Sequence, residues 1–287
     1  MLVDLVHVSA ADGLRLDGVM HPATKPLDPR SRGDALVCFH GTGSNFYSSS
    51  LFQTLTPRWL KNGLSVVWAN TRGHDGVSMA IANQRRRRQG AAFESFRESP
   101  LDVRAWCDLF AARGHSRILL FGHSSGALKS IYTQATQPHS LVSGVIAVSP
   151  PRLSHAVFLQ SSRKNEFLDT FRRAEMLVAA GEPNTLLEVT FPMPYLISAA
   201  GYLEKYGRSD DFDILKLLPR VHVPTLVSYG GLEVAKEVAF QGLPDAIAQL
   251  AHAASTITVQ TIAGADHIYS GVIDQLENVV EPWLLSH

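Results

Sequence analysis

Six short apolar runs without in/out alternation constrain this chain most: Ala35–Phe39, Ser65–Ala69, Arg117–Phe121, Gly144–Val148, Thr225–Tyr229 and Thr256–Gln260. A strand with one wet face alternates apolar and polar residues. A run without alternation suits a strand buried on both faces, as in a parallel sheet flanked by helices. Helix-patterned segments lie between the runs. In 100–113, Val103, Trp106, Cys107 and Phe110 fall on one helical face. Ser99 is placed to cap that helix, Pro100 suits its first turn, Asp102 completes a Ser-x-x-Asp box and Gly114 stops it. Residues 125–137, 235–252 and 270–285 also read as helices. Alternating strands and helices predict an α/β fold with parallel strands and crossover helices.

At the N-terminus, alternating segments around Val3–His7 and Leu14–Gly18 flank Ala11-Asp12-Gly13, which predicts an antiparallel hairpin. Residues 22–34 hold three prolines and several charges, a surface loop. The alternation breaks once, between Pro150-Pro151 and Pro224. Segments 155–180 and Leu196–Tyr206 there read as helices, ended by Gly181 and Gly207. The expected organisation is therefore a core of 1–150 and 223–287 with a helical lid, 151–222, over one end of the sheet.

At 287 residues, burying about three-quarters of the unfolded chain's surface is within reach of a single α/β domain. Lys plus Arg (26) equals Asp plus Glu (26), which argues against a surface built for nucleic acid. Cys38 and Cys107 alone supply neither a disulfide framework nor a structural zinc site, and they suit a reducing compartment. The start of the chain lacks the pattern of a signal peptide, and no stretch approaches the roughly 18 apolar residues of a membrane span. The expectation is a soluble cytoplasmic protein, monomer or homodimer, that handles a small molecule and has no nucleic-acid or membrane partner.

Chemistry concentrates in Gly122-His123-Ser124-Ser125-Gly126, a Gly-x-Ser-x-Gly motif directly after a predicted buried strand and directly before a helix. That context turns a common pentapeptide into a candidate nucleophile elbow. The sharp turn holds Ser124 exposed above the sheet, small flanking residues let strand and helix approach, and the Ser125 N–H points at a developing oxyanion. A serine hydroxyl needs a base, and the base an orienting acid. His267, in a loop after the last strand, is the best-placed of twelve histidines. His252 and His287 sit on a helix and at the terminus, and His222 precedes a strand. Glu233, just past Thr225–Tyr229, is the candidate acid; Asp266 adjoins the histidine but neighbouring side chains usually diverge. His40-Gly41-Thr42-Gly43 follows the first buried run and supplies the second oxyanion donor, Thr42 N–H first and Gly43 second, with His40 as a loop buttress.

Other features have plainer explanations. Arg85–Arg88 is expected to be a solvated loop rather than a clamp for an anion. Lys129, one turn into the elbow helix, is expected at the surface or ion-paired rather than on a substrate carboxylate. Cys38 and Cys107 fall at core positions. Phe158, Met193 and Tyr195 in the insertion are candidate pocket residues, alongside Phe191 and Leu196.

Together, His40–Gly43, Asn70-Thr71-Arg72-Gly73-His74, Gly122–Gly126, Gly230–Glu233 and Asp266-His267 make the sequence resemble the α/β-hydrolase superfamily across nearly its whole length. The resemblance implies a mostly parallel eight-stranded sheet, a helical cap and no cofactor or metal. The family's usual acid is Asp, so Glu233 is a departure. The elbow and Tyr202-x-x-Lys205-Tyr206-Gly207 also loosely resemble fungal siderophore-ester hydrolases, a hint toward ester substrates. The expected activity is a cofactor-independent serine hydrolase that cleaves an ester, thioester or lactone through an acyl-enzyme. A carbon–carbon hydrolase or lyase on the same triad, or a slow-turnover ligand receptor, are the alternatives. Haloalkane dehalogenases and epoxide hydrolases need Asp where Ser124 stands.

Overall fold

The computed structural model describes residues 4–253 and 256–286. Val3 and His287 lie outside them. The N-terminal hairpin forms as β1 (Asp4–Ser9) and β2 (Arg15–His21). There follow β3 (Ala35–Phe39), α1 (Ser50–Lys61), β4 (Ser65–Ala69), a small hairpin of β5 (Ser78–Ala82) and β6 (Arg85–Gln89), α2 (Ser99–Ala112), β7 (Ile118–His123), α3 (Ser125–Thr136) and β8 (Val142–Val148). The interruption holds α4 (His155–Gln160), α5 (Lys164–Ala179), β9 (Leu186–Val189), β10 (Tyr195–Ser198), α6 (Ala199–Lys205) and α7 (Ile214–Leu217). The chain closes with β11 (Thr225–Gly230), α8 (Gly231–Lys236), α9 (Leu243–Ala253), β12 (Ile257–Ile262) and α10 (Ile273–Leu284).

The main sheet has eight strands in the order β1-β2-β4-β3-β7-β8-β11-β12. The β1–β2 and β2–β4 pairs are antiparallel, and every pair from β4 onward is parallel. The apolar runs explain this arrangement. In β3, Ala35, Val37 and Phe39 face one core with α2 and α3, while Leu36 and Cys38 face a second core with α1 and α10. Both faces are dry, so alternation is absent. The run at 256–260 differs: β12 is an edge strand, and Thr258 and Gln260 are exposed.

Several local expectations are corrected. Arg85–Arg88 is a strand, not a loop. Asn83 and Gln84 both take positive φ, the conformation of a tight two-residue hairpin turn, and the four arginines stay exposed. Asp102 does not cap α2. It receives the buried Arg72 guanidinium in a bidentate pair, and that ion pair outcompetes a capping bond, leaving the Ser99 hydroxyl without a partner among the described residues. The helix expected over 235–252 is broken between α8 and α9. Gly242 at φ 70° and Pro244 in the first turn of α9 start a new helix instead.

The insertion is not all helix. Ser161 interrupts the expected 155–180 helix, its Oγ donating to the Phe158 carbonyl at 2.9 Å. Leu186–Val189 and Tyr195–Ser198 form an antiparallel pair, so the helix expected over 196–206 is confined to α6, Ala199–Lys205. Leu187, Val189 and Ile197 are buried while Leu186, Glu188 and Leu196 are exposed, the period of a half-buried ribbon. The insertion leaves the sheet after β8 and returns at β11, so it lies beside the C-terminal ends of the parallel strands.

Candidate active site

Ser124 sits between β7 and α3 at φ 56°, ψ −124°, a conformation that costs a non-glycine residue energy. Close packing enforces it. A Cβ on Gly122 would lie 2.4 Å from the Ala127 backbone, and one on Gly126 would lie 2.3 Å from the Phe39 carbonyl oxygen. Only glycine lets the strand, the elbow and β3 meet there. The Ser124 N–H donates to Val148 O at 2.8 Å, which pins the turn to the neighbouring strand.

The His267 ring meets Glu233, with Nδ1 and Oε2 2.6 Å apart. Glu233 is 2% exposed, and its other oxygen accepts from Gly230 N–H at 2.7 Å and from the Ser149 hydroxyl. Those two donors fix the carboxylate and leave Oε2 for the ring. Nδ1 then carries the proton, and Nε2 is the free base. Asp266 turns away: its Oδ1 accepts from Ile268 N–H and Ser270 N–H, and these bonds hold its carboxyl below the usual range. His123 Nε2 donates to the His267 carbonyl at 2.7 Å and so holds the histidine loop from below. Burial and then the neighbouring His267 push the His123 ring down to about 3, so it is neutral at ordinary pH.

Ser124, Thr42, Met193 and His267 line both of two adjoining cavities, of about 400 Å³ and 320 Å³. The larger runs under the insertion and is also lined by Ser125, Leu153, Lys205, Tyr206, Glu237 and Phe240. The smaller is a serine-rich cleft along Gly41, Ser44 and Ser48–Ser50. Among the described residues no hydrogen bond links Ser124 Oγ to the His267 ring. Such bonds often tighten only around substrate.

The loop after β3 is braced from behind. His40 is buried, donating from Nδ1 to Gly41 O at 2.8 Å while Nε2 accepts from Thr71 N–H. Burial, reinforced by Lys129, pushes its pKa down to about 3. Gly41 packs onto the elbow, where an added Cβ would lie 3.1 Å from Ser124 Cβ. No bond from Thr42 N–H or Gly43 N–H occurs among the described residues, so both amides are free to donate. Gly43 is at φ 67°. Phe158 is elsewhere: it packs against Phe167, Phe191 and Tyr206 inside the insertion. Tyr195 bonds Tyr206 through its hydroxyl at 3.0 Å and faces a separate surface groove with Leu196.

The profile of the alpha/beta hydrolase family matches residues 36–281. This chain belongs to the alpha/beta hydrolase family. Solved structures of similar fold include the alpha/beta hydrolase GrgF of Penicillium sp. sh18, at 16% identity and TM-score 0.71, covering 100% of this chain and 99% of that one. Est1E of Butyrivibrio proteoclasticus, solved with ferulic acid bound, is 15% identical with TM-score 0.65 over 98% of each chain. An esterase of Pyrococcus furiosus is 15% identical with TM-score 0.62 over 99% of this chain and 90% of its own. Among curated protein sequences none matches.

In this alpha/beta hydrolase, several site residues escaped sequence reasoning. Ser149, which holds Glu233, directly follows a buried strand; its position at the strand's C-terminal end was the available signal. Glu237 lines the larger cavity, and burial raises its pKa despite the nearby His267. Lys129 is ion-paired, one of the two expected placements, and does not line the cavity. It is 1% exposed and bonds Glu94 at 2.5 Å and Thr71 at 3.1 Å. Lys205 shares Glu94 with it and lines the cavity. Cys38 and Cys107 are buried thiols whose pKa burial raises, so they stay protonated. No helix among the described residues is long and apolar enough to cross a membrane, and no cluster of three or more potential metal ligands occurs among them.

Proposed function

We propose that this chain is a serine hydrolase cleaving a carboxylic ester, thioester or lactone of a small molecule. One observation carries the reading: the His267–Glu233 pair and the strained Ser124 elbow open onto one cavity. Ser124 Oγ attacks the carbonyl carbon while His267 Nε2 takes its proton. Glu233 holds the ring in the Nδ1–H tautomer and stabilises the imidazolium that forms. Thr42 and Ser125 N–H groups donate to the oxyanion, with Gly43 N–H beside them. His267 then protonates the leaving group, and water resolves the acyl-enzyme by the reverse sequence. No cofactor is needed for these steps. The insertion 151–222 acts as the lid, and Met193 is its contribution to both cavities.

A small fluorophosphonate tests the nucleophile. The wild-type protein should be labelled at Ser124, and Ser124→Ala should lose both labelling and ester turnover. Full turnover by Ser124→Ala would overturn the proposal. Hydrolysis of a carbon–carbon substrate without any ester cleavage would move the reaction class and keep the residues.

A further inference from the structure

Lys205 closes α6, within the insertion, and reaches across to Glu94 on the core, its Nζ 3.4 Å from Oε1. The same carboxylate takes Lys129 at 2.5 Å through its other oxygen. All three side chains are at most 4% exposed. Burial alone would raise the Glu94 pKa, but Lys129 and then Lys205 bring it down to about 2, so Glu94 is ionised. Two ammonium groups then face this one carboxylate; Lys129 also has Asp102 nearby, whereas Glu94 is the one carboxylate within 4 Å of Lys205 among the described residues. A buried ammonium held by one long, shared ionic contact gains from a further partner.

Lys205 is the less satisfied of the two. Lys129 has two hydrogen bonds and does not line the cavity, whereas Lys205 has one long bond, lies over the Phe96 and Tyr195 rings and is part of the cavity wall. An ammonium carries three donors, so Lys205 has capacity to spare. Further donors line the same cavity, at Tyr206 and Ser125. Tyr195 and Tyr206 share one hydrogen in their 3.0 Å bond, which leaves the other hydroxyl hydrogen without an acceptor among the described residues. The Ser125 hydroxyl is 3% exposed, lines the same cavity and has no partner among the described residues. Arg163, also in the wall, is already matched by Glu166 in a bidentate pair. Glu237 stands near His267 and Glu233 on the triad side, so its charge steers an anion away from that wall and toward Lys205.

We propose that the lid end of the larger cavity is a carboxylate subsite, in which Lys205 binds an anionic group carried by the same substrate whose ester meets Ser124. The inference rests on the hydrolase reading for the ester and adds the substrate class, a short-chain ester bearing a free carboxylate. A single lysine ammonium matches a monoanion better than a phosphate dianion.

The test compares monomethyl glutarate and monomethyl adipate with methyl pentanoate, followed by acid release. Wild-type kcat/KM should favour at least one charged ester by tenfold or more. Lys205→Met should erase that preference, and Lys205→Arg should restore part of it. Because Glu94 keeps Lys129, Lys205→Met leaves no bare buried carboxylate, and a small neutral fluorophosphonate should still label Ser124. Calorimetry with glutarate as the probe reads the subsite without turnover: binding to wild type should be lost in Lys205→Met. Equal rates on charged and neutral esters with no glutarate binding would overturn the subsite. So would an equal loss on all esters together with lost labelling in Lys205→Met, which marks a structural lysine. An unlabelled wild-type protein that still binds glutarate through Lys205 would defeat the hydrolase reading and keep the subsite.

Discussion

The ends of the parallel strands and the segment inserted beside them are held by different forces. At the strand ends the main chain does the positioning. Ser124 is fixed by its backbone conformation and its bond to Val148, and Glu233 by Gly230 N–H. Among the described residues the insertion has two main-chain bonds to the core, Ser198 N–H to Ala92 O and Arg152 N–H to Ala239 O, and side chains make the rest of its docking. Glu204 accepts from Ser95 and from Arg97 N–H, Arg97 pairs with Asp211, and Lys205 reaches Glu94. Main-chain positioning survives most substitutions nearby, whereas side-chain docking changes with each residue. The strand ends therefore suit fixed chemistry, and the insertion suits variable selection.

The sharpest way to break this contrast is at Glu233. Two donors hold Oε1, so in Glu233→Gln the amide oxygen takes that place and the NH2 group faces His267 Nδ1. The ring must then accept at Nδ1 and carry its proton on Nε2, the wrong tautomer for a base. The expected result is a fall of about 10²–10⁴ in kcat with little change in KM. Asp266→Asn should change kcat only a few-fold, because an amide oxygen can still accept from Ile268 and Ser270. The reverse ranking in steady-state kinetics would reassign the acid.

Inside the insertion, Phe158 and Met193 separate packing from selection. Phe158 is fully buried among aromatic rings, so Phe158→Ala should cost about 3–5 kcal/mol of stability, read as a lower denaturant midpoint. Met193 lines both cavities, and Met193→Ala should shift the kcat/KM ratio between short and long acyl esters by about tenfold with little loss of stability. A change of preference from Phe158→Ala alone, with Met193→Ala silent, would place the selecting wall elsewhere.

Legibility in the sequence follows the same divide. The strands, the elbow and the His267 loop were readable because each depends on a short contiguous pattern: an apolar run, a glycine pair, a loop after a strand. Even the Glu233–His267 contact could be anticipated from the place of Glu233 after β11. The errors arose where distant residues decide. Asp102 satisfied a local capping rule, yet Arg72, 30 residues away in the chain, takes its carboxylate. In the sequence Lys205 stands out only as one letter of a short motif, because Glu94 lies 111 residues earlier and nothing local links them. The β9–β10 ribbon was missed because four-residue strands carry too little periodic signal beside helix-favouring neighbours.

A last effect concerns acid, and it tests whether the strand-end region is as firmly held as its main-chain bonds imply. His40 is 1% exposed and bridges Gly41 and Thr71 as a neutral ring, with a pKa lowered from 6.5 to about 3. Between those values the unfolded chain binds a proton that the folded chain refuses, so stability falls as pH drops through 6.5 and stops falling from this source near 3. At pH 5 the loss from this one ring is about 2 kcal/mol, from 1.36 kcal/mol per unit over about 1.5 units. Glu94, lowered from 4.5 to about 2, adds a loss only below pH 4.5, so it leaves the window from 6.5 to 5 clear. His21 and His123 are also lowered and contribute there, which makes a variant necessary. His40→Gln removes the ring's titration, so urea unfolding at pH 7.5 and pH 5.0 should show a pH-dependent loss about 2 kcal/mol smaller than in wild type. An identical loss in both proteins would mean that His40 gains a proton without releasing the Gly41 loop, and that the loop beneath Thr42 is held by Gly41 packing on Ser124 rather than by the ring.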